Sequence, residues 1–474
     1  MMLSSTVPEA ASRLLSFVNN SPTPFHAVQT AVQRLEKVGF SKLKESDSWD
    51  KAVKPGGKYF FTRNQSTIVA FTTPGNWKQG AGLSIVATHI DSPNLRIRPV
   101  SKRTKAGYLQ VGIETYGGGI WHSWLDRDLS VAGRVITSNK FGEFKSRLIK
   151  VERPILRIPS LAIHLDRGVN DSLKFNQETE FVPILGLISE QLNATSESSK
   201  SSTGDVQASS IADNHHSALL NLLASELSVA PNEIYDFELQ VVLVLQLYDT
   251  QPSQLGGIVN EFIFSPRMDN QFSSFCAVDA IIGSVSSNSL PEGNVNCIAL
   301  FNHEEVGSVS STGAESNLVP SLLNRLSPTP DLLAQSIASS FLVSCDMGHA
   351  IHPNYYNKHE ENHQPRINGG IIIKTNAKQR YTSDAVGSFL VKKLVEKKGG
   401  KVQEYEARND MPCGSTVGPS LSTIGLRVVD VGCPMLSMHS IRETAGTSDV
   451  QSCIDLFQSL FENFSQLDAK LIAE

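Results

Sequence analysis

The stretch Asn302-His303-Glu304-Glu305-Val306-Gly307-Ser308 sets two carboxylates side by side directly after an apolar run, Val295 to Phe301. Adjacent acids repel, and holding them against a core is costly. Successive side chains leave a strand in opposite directions. Both acids therefore reach one site only if the backbone bends there, and Gly307 permits a bend. A cation relieves the repulsion, because one carboxylate can bind it while the other moves protons. The plainer explanation is a pair of solvated acids opening a helix, where Glu is common. Residues of the same chemical kind recur along the chain. His89-Ile90-Asp91 has the spacing that lets a carboxylate hold an imidazole in one tautomer while the other nitrogen binds a metal, although H-x-D is short and common. Asp269 stands in Ser265-Pro266-Arg267-Met268-Asp269-Asn270, where its ordinary job is a helix N-cap. Asp346 opens a loop dense in His and acids that includes His349, His352, His359, Glu360 and His363. His439 follows Met435-Leu436-Ser437-Met438.

These residues share an address. Apolar runs at Leu83–Thr88, Val295–Phe301, Phe341–Cys345 and Val428–Val431 read as buried strands, and Glu261–Phe264 as a further strand. His89, Asp269, Glu305, Asp346 and His439 each lie at or just past the end of such a run. In an open α/β sheet, ligands bind outside the carboxyl ends of the strands. Around the runs, helical spacing predicts helices over Ser12 to about Gly39, broken at Pro22 and Pro24, then from Phe272, over Ser383–Lys397 and over Ser448–Leu467. From about Ile97 to Leu243 the texture changes to strand-like pieces separated by Gly-rich turns. Residues 97–246 read as an inserted β-rich domain between two parts of one larger domain, 1–96 and 247–474. The Ser-rich stretch Asn193–Ser210 reads as a mobile surface loop. His164, in Ala162-Ile163-His164-Leu165, falls in the inserted domain, on a stretch that reads as a strand.

Composition narrows the function. The chain has 474 residues, 40% hydrophobic and 19% charged, with a formal net charge of -5. That is an ordinary soluble balance, and without a long basic run it argues against nucleic-acid binding. No apolar run reaches the length of a membrane span, and residues 1–20 carry no signal-peptide core; they read as an amphipathic helix. The six cysteines are scattered without a C-x-x-C pair, several inside apolar runs. This favours a reducing, cytoplasmic setting and disfavours a cysteine-bound zinc.

Two His and three carboxylates suit zinc, or another divalent metal such as manganese or cobalt. Five ligands exceed what one catalytic zinc with an open position takes. They suit two metals roughly 3.5–4 Å apart sharing a bridging carboxylate. Glu304, beside a ligand, is then free to take a proton from water.

The motifs Thr88-His89-Ile90-Asp91-Ser92-Pro93, Pro266-Arg267-Met268-Asp269-Asn270, Asn302 to Ser308, Asp346-Met347-Gly348-His349-Ala350, His352-Pro353-Asn354-Tyr355, Lys358 to His363 and Met438-His439-Ser440-Ile441-Arg442-Glu443 resemble, in order and over nearly the whole chain, the aspartyl aminopeptidase family (peptidase family M18). That family comprises two-zinc exopeptidases within the co-catalytic zinc aminopeptidases. The resemblance implies an α/β catalytic domain, a central mixed sheet flanked by helices, interrupted by a smaller β-rich dimerisation domain, and assembly into a tetrahedral dodecamer. It implies that His89 and Asp346 hold one zinc, Glu305 and His439 the other, and that Asp269 bridges them. Glu304 would be the general base and Asp91 the partner of His89. His164 matches a histidine that reaches a neighbouring subunit's active site. Lys374, Tyr381 and Met438 match the region that receives the acidic side chain of the substrate.

The expected activity is removal of N-terminal Asp or Glu from peptides by a cytoplasmic, homo-oligomeric metallo-aminopeptidase. Two rivals stand beside it. A metal-dependent carboxypeptidase or deacylase on a related fold needs a basic clamp for a C-terminal carboxylate. A catalytically inactive scaffold with a relic site would have no reason to keep the full ligand set.

Overall fold

The computed structural model describes residues 8–190, 211–243, 252–286 and 293–472. The Ser-rich stretch Asn193–Ser210 lies outside them. The chain packs as two compact units, Met1–Ser92 with Ser253–Glu474, and Pro93–Pro252. The strands run in chain order. The first unit begins with β1 (Ser41–Lys42), β2 (Lys58–Arg63), β3 (Thr67–Thr72) and β4 (Leu83–His89). The second unit holds β5 (Asn94–Lys105), β6 (Tyr108–Tyr116), β7 (Leu129–Ser138), β8 (Phe144–Lys150), β9 (Ile184–Leu187) and β10 (Ile234–Leu243). The chain then returns with β11 (Gln254–Gly256), β12 (Phe262–Ser265), β13 (Val295–Phe301), β14 (Phe341–Cys345) and β15 (Gly348–His349). The last five are β16 (Ile371–Thr375), β17 (Val402–Glu406), β18 (Arg427–Gly432), β19 (Pro434–Leu436) and β20 (Glu443–Gly446).

The first unit is built on a nine-stranded mixed sheet of order β1-β2-β3-β13-β4-β14-β18-β16-β17. Its centre is a parallel run, β13 beside β4, β4 beside β14 and β14 beside β18. The apolar runs are continuous because both faces of these strands are covered. In β13, Val295, Cys297, Ala299 and Phe301 enter one core cluster while Ile298 and Leu300 enter the other. Helices Glu9–Asn20, Pro24–Lys37, Met268–Ser286, Ala385–Lys397 and Thr447–Asp468 bury their apolar stripes in one cluster, and helices Leu318–Leu326 and Val417–Ser422 in the other. Each buried Leu, Ile or Phe stabilises this arrangement by about 1.5–3 kcal/mol relative to exposure. Caps at Thr23 and Asp384 accept backbone N–H groups of His26 and Gly387, starting two of those helices.

A second, five-stranded sheet of order β11-β12-β20-β19-β15 lies in the same unit. The chain enters it twice from the larger sheet, as β14 gives way to β15 and β18 to β19, and β15 pairs in parallel with β19. The sequence pattern places all five candidate ligands at the ends of strands, and the structure divides them between these two sheets. His89 ends β4, and Glu305 and Asp346 follow β13 and β14, its parallel neighbours in the larger sheet. Asp269 and His439 follow strands of the smaller one.

The second unit is a six-stranded antiparallel sheet of order β8-β7-β10-β5-β6-β9. His164 is not on a strand. It lies in a turn, in which the N–H groups of Leu165 and Asp166 reach the Ala162 carbonyl at 2.8 and 3.3 Å. Leu161, Ile163 and Leu165 around it are all exposed, so the alternation that suggested a strand has no sheet to bury it. Among the described residues, no helix is long and apolar enough to cross a membrane.

Candidate metal centre and active site

The paired acids owe their placement to a sharp turn past β13. His303 takes a left-handed conformation (φ 63°), Glu304–Val306 form one 3-10 turn, and Gly307 (φ 98°) and Ser308 (φ 62°) turn the chain back. A glycine accepts this φ without strain; His303 is held in it by hydrogen bonds. The Ser308 N–H donates to the His303 carbonyl at 2.7 Å, and the His303 Nδ1 pairs with Ser310 Oγ at 2.7 Å. The turn lets both acids face one site, as their repulsion alone would forbid.

Asp91 does more than its spacing suggests. His89 Nδ1 lies 3.1 Å from the Asp91 carbonyl and 3.6 Å from its carboxylate Oδ1. The carboxylate oxygens instead accept the backbone N–H groups of Glu304 and Glu305, each at 3.2 Å. Asp91 is fully buried, so it fixes the turn that carries the acids as well as the imidazole.

The other faces of the two histidines meet the carboxylates. His89 Nε2 stands 3.2 Å from Asp269 Oδ1, 3.2 Å from Asp346 Oδ1 and 3.7 Å from Glu304 Oε2. His439 Nε2 stands 3.3 Å from Asp269 Oδ2 and 3.4 Å from Glu305 Oε2. The two oxygens of Asp269 thus face two different histidines. Ligand atoms of His89, Asp269 and Glu305 all lie within 4.8 Å of one another.

Two observations test this donor set against a metal. Asp269 Oδ1 and Glu305 Oε1 are buried and make no hydrogen bond, although His89 Nε2 is close to the first. Buried carboxylate oxygens are normally satisfied, and a cation is the usual reason that they are not. The second observation is charge. Burial pushes Glu304 up to about 8; the like charges of Asp346, Asp91 and Asp269 add to this against the attraction of His89. Burial and Asp269 likewise hold Glu305 well above the usual carboxylate range. Burial disfavours a charge on His89, yet Glu304 and the surrounding acids outweigh it and raise its pKa. The cluster is short of positive charge, and the residues present fit a divalent cation.

Several supports went unread in the sequence. Asn270 donates from Nδ2 to the Cys345 carbonyl at 2.8 Å, and Ser274 Oγ donates to the His89 carbonyl at 2.7 Å. Both stand at the start of the helix Met268–Ser286, whose backbone is non-helical at Asp269 and Asn270. Glu443 accepts from the N–H of Asp269 and of His439. Small hydrogen-bonding residues within or just after a ligand motif were the available signal for the first two; Glu443 closes the motif Met438 to Glu443, but nothing in the sequence gave it a role.

The expected substrate residues divide. Met438 lines a cavity of about 250 Å³ together with His349, His352, Lys358, His359 and Arg408. Lys374 is 1% exposed, and its ammonium donates to Met347 O at 2.8 Å and Asp346 Oδ2 at 3.3 Å, with the Tyr381 ring centroid 5.4 Å away. Lys374 and Tyr381 are not among the residues that line the cavity. His164 is exposed on the second unit.

The family model described as Aminopeptidase I zinc metalloprotease (M18) matches residues 17–461. An aspartyl aminopeptidase of Aspergillus oryzae is 46% identical, over 100% of this chain and 99% of that one. Aspartyl aminopeptidase 1 of Schizosaccharomyces pombe is also 46% identical, over 100% and 98%. Among solved structures, a chain of the cryo-EM structure of the Ape4 and Nbr1 complex superposes with a TM-score of 0.92 at 46% identity, covering 98% of this chain and 87% of that one. The Saccharomyces cerevisiae mApe1 dodecamer gives 0.83 at 28% identity, covering 98% of both. With the fold, the ligand cluster and these likenesses in agreement, the chain belongs to the M18 family of zinc metalloprotease aminopeptidases, which are hydrolases.

Proposed function

We propose that the protein removes N-terminal Asp and Glu from peptides and works with two divalent cations per subunit, zinc in the first place, with manganese and cobalt as substitutes. The observation that carries this reading is Asp269, whose two oxygens face separate histidines, each beside a further carboxylate. His89 and Asp346 would hold one cation, Glu305 and His439 the other, and Asp269 both. Bound there, the cations supply Lewis-acid polarisation of the scissile carbonyl and acidify the attacking water.

The chain's own residues do the rest. Glu304 takes the proton from the attacking water and delivers it to the leaving amine. Its high pKa in the ion-free chain falls when positive charge fills the cluster, which readies it as a base. Asp91 keeps the imidazole of His89 and the turn of Glu304 and Glu305 in register. Lys374, Tyr381 and Met438 receive the acidic side chain, with Lys374 as the cation that reads it. An ammonium has three donors, and two of those of Lys374 are engaged by Met347 and Asp346. His164 reaches a neighbouring subunit's site and donates to the oxygen on which charge develops. Its place on an exposed turn beside exposed Leu161 and Leu165 supports that use. This assignment implies a homo-oligomer, and we infer a dodecamer like that of the S. cerevisiae relative. The inserted residues 97–246 would serve as the dimerisation domain; they fall within the second compact unit, Pro93–Pro252. Six free cysteines, five of them buried, suit a cytoplasmic setting.

Metal analysis combined with a panel of N-terminal aminoacyl substrates tests the reading. Two equivalents of metal per subunit and turnover confined to Asp and Glu substrates are expected. Comparable turnover of Leu and Asp substrates overturns the specificity, and full activity of the thoroughly chelated protein overturns the mechanism.

A further inference from the structure

Strands β12 and β20 pair so that Ser265 stands opposite Glu443. From that one rung the chain leaves in two directions, forward from Ser265 and backward from Glu443. Four residues out on each branch lies a candidate ligand, Asp269 on one and His439 on the other. Both branches curl back, and both ligands return a backbone N–H to the same carboxylate: Asp269 N–H to Glu443 Oε2 at 3.1 Å, His439 N–H to Oε1 at 2.7 Å. The curl uses left-handed backbone at three non-glycine residues, Arg267 (φ 57°), Ser437 (φ 58°) and His439 (φ 68°). Such conformations persist only where surrounding contacts over-determine them. The outcome is that His439 Nε2 and Asp269 Oδ2 come within 3.3 Å, although 170 positions separate them in sequence.

Glu443 is 2% exposed. A buried carboxylate is costly to keep, and a strand end needing only packing would take an apolar residue. The charge of the half-buried Arg267, whose guanidinium also donates to Val18 O at 3.1 Å, offsets part of that cost. Nothing in the reaction proposed above uses Glu443.

We propose that Glu443 is a positioning residue that fastens the two ligand loops to each other and so sets the separation of Asp269 and His439 for cation binding; the proposal rests on the reading of those two residues as ligands. A carboxylate offers an acceptor to each N–H. A glutamine offers one acceptor and turns its amide donors toward the other N–H, releasing one loop. An aspartate keeps the charge beside Arg267 but is one methylene short of spanning both.

The test compares Glu443→Gln and Glu443→Asp with the unaltered protein in three measurements: zinc content during stepwise chelator competition, melting of the metal-stripped protein, and the kcat and KM split. Partners that orient metal ligands typically contribute about 10–100-fold in affinity. The expected result is that zinc binding becomes weaker by that factor, most at the cation assigned to His439, with kcat falling, while KM and the melting of the stripped form stay near those of the unaltered protein. Glu443→Asp guards against a Gln variant that misfolds because Arg267 loses the compensating charge. Unchanged zinc affinities in a folded variant overturn the proposal. So does parallel weakening of both zinc ions together with lost melting temperature in both variants, which is the mark of a purely structural role. Failure of the unaltered protein to bind two zinc ions overturns the ligand assignment itself, and so is distinguishable from failure of the role given to Glu443.

Discussion

Stripping the metal from this protein should make its stability fall as pH rises from about 5 to 8. In the ion-free chain, burial and like charges push Glu304 up to about 8, against 4.5 for an ordinary Glu. Glu443 is pushed to about 8 by burial and by Asp269. Glu305 and His89 are also raised. The sign is the same for all four. Each binds a proton in the folded state over a range where the unfolded chain has lost it. Its contribution is complete below the unfolded pKa and is lost as pH climbs to the folded one. Asp269, which two histidines hold low, matters only in acid. A single carboxyl displaced from 4.5 to about 8 corresponds to at most about 5 kcal/mol. These groups compete for the same protons, so a total of roughly 2–4 kcal/mol across the window is the reasonable expectation. For a unit of this size that is a drop of several degrees in Tm. Calorimetry of the chelated protein at pH 5, 6, 7 and 8 measures it. Adding zinc should abolish the slope and release protons in weakly buffered solution, because cations replace the protons that the acids share. A chelated protein whose Tm is flat or rises over that window would refute the account of a charge-starved cluster.

The remaining expectations concern single residues. Glu305→Ala should lower both metal content and activity, whereas Glu304→Gln should keep the metal and lose about 10²–10⁴-fold in rate; the opposite pattern in elemental analysis means that the two roles are exchanged. Lys374→Met should erode the preference for Asp and Glu over Asn and Gln substrates, read from kcat/KM, since a site built around a polar partner rejects analogues that leave it unpaired. The same change removes a donor to Asp346 Oδ2, so its metal content must be measured alongside; full retention of acid preference removes Lys374 from the pocket. His164→Ala should assemble and bind metal but lose about 10²–10³-fold in turnover, as for one oxyanion donor. Mixed oligomers with Glu304→Gln subunits should regain activity, because some sites then combine an intact Glu304 with an intact neighbouring His164; verified mixed oligomers without complementation would sink the shared site.

The sequence by itself determined the strands at the middle of the large sheet and the addresses of the residues beyond them. Val295–Phe301 and Phe341–Cys345 coincide with β13 and β14 to the residue, and Leu83–Thr88 with β4 to within one. Such runs are legible because both faces of a central parallel strand are buried, so every position is apolar and the pattern is complete within the segment. The amphipathic helices Ala385–Lys397 and Thr447–Asp468 were legible for the same local reason. Short or half-exposed strands were not: β17, with Val402-Gln403-Glu404-Tyr405-Glu406, and the three- and four-residue β19 and β20 depend on distant partners for their hydrogen bonds. The helices Leu318–Leu326 and Pro330–Ala338, nine residues each, were likewise too brief to declare themselves. His164 shows the opposite error, since apolar alternation marks a strand only where a sheet exists to cover it. The same division holds at the site. Sequence offered five candidate ligands and a spare acid, but the pairing of Asp269 with two histidines, the grip of Asp91 on the Glu304–Glu305 turn and the two hydrogen bonds that Glu443 accepts from Asp269 and His439 belong to the tertiary structure. The first joins side chains 180 and 170 residues apart, which only the fold brings together; the other two work through backbone N–H groups, which every residue except proline carries, so no residue type announces them in advance.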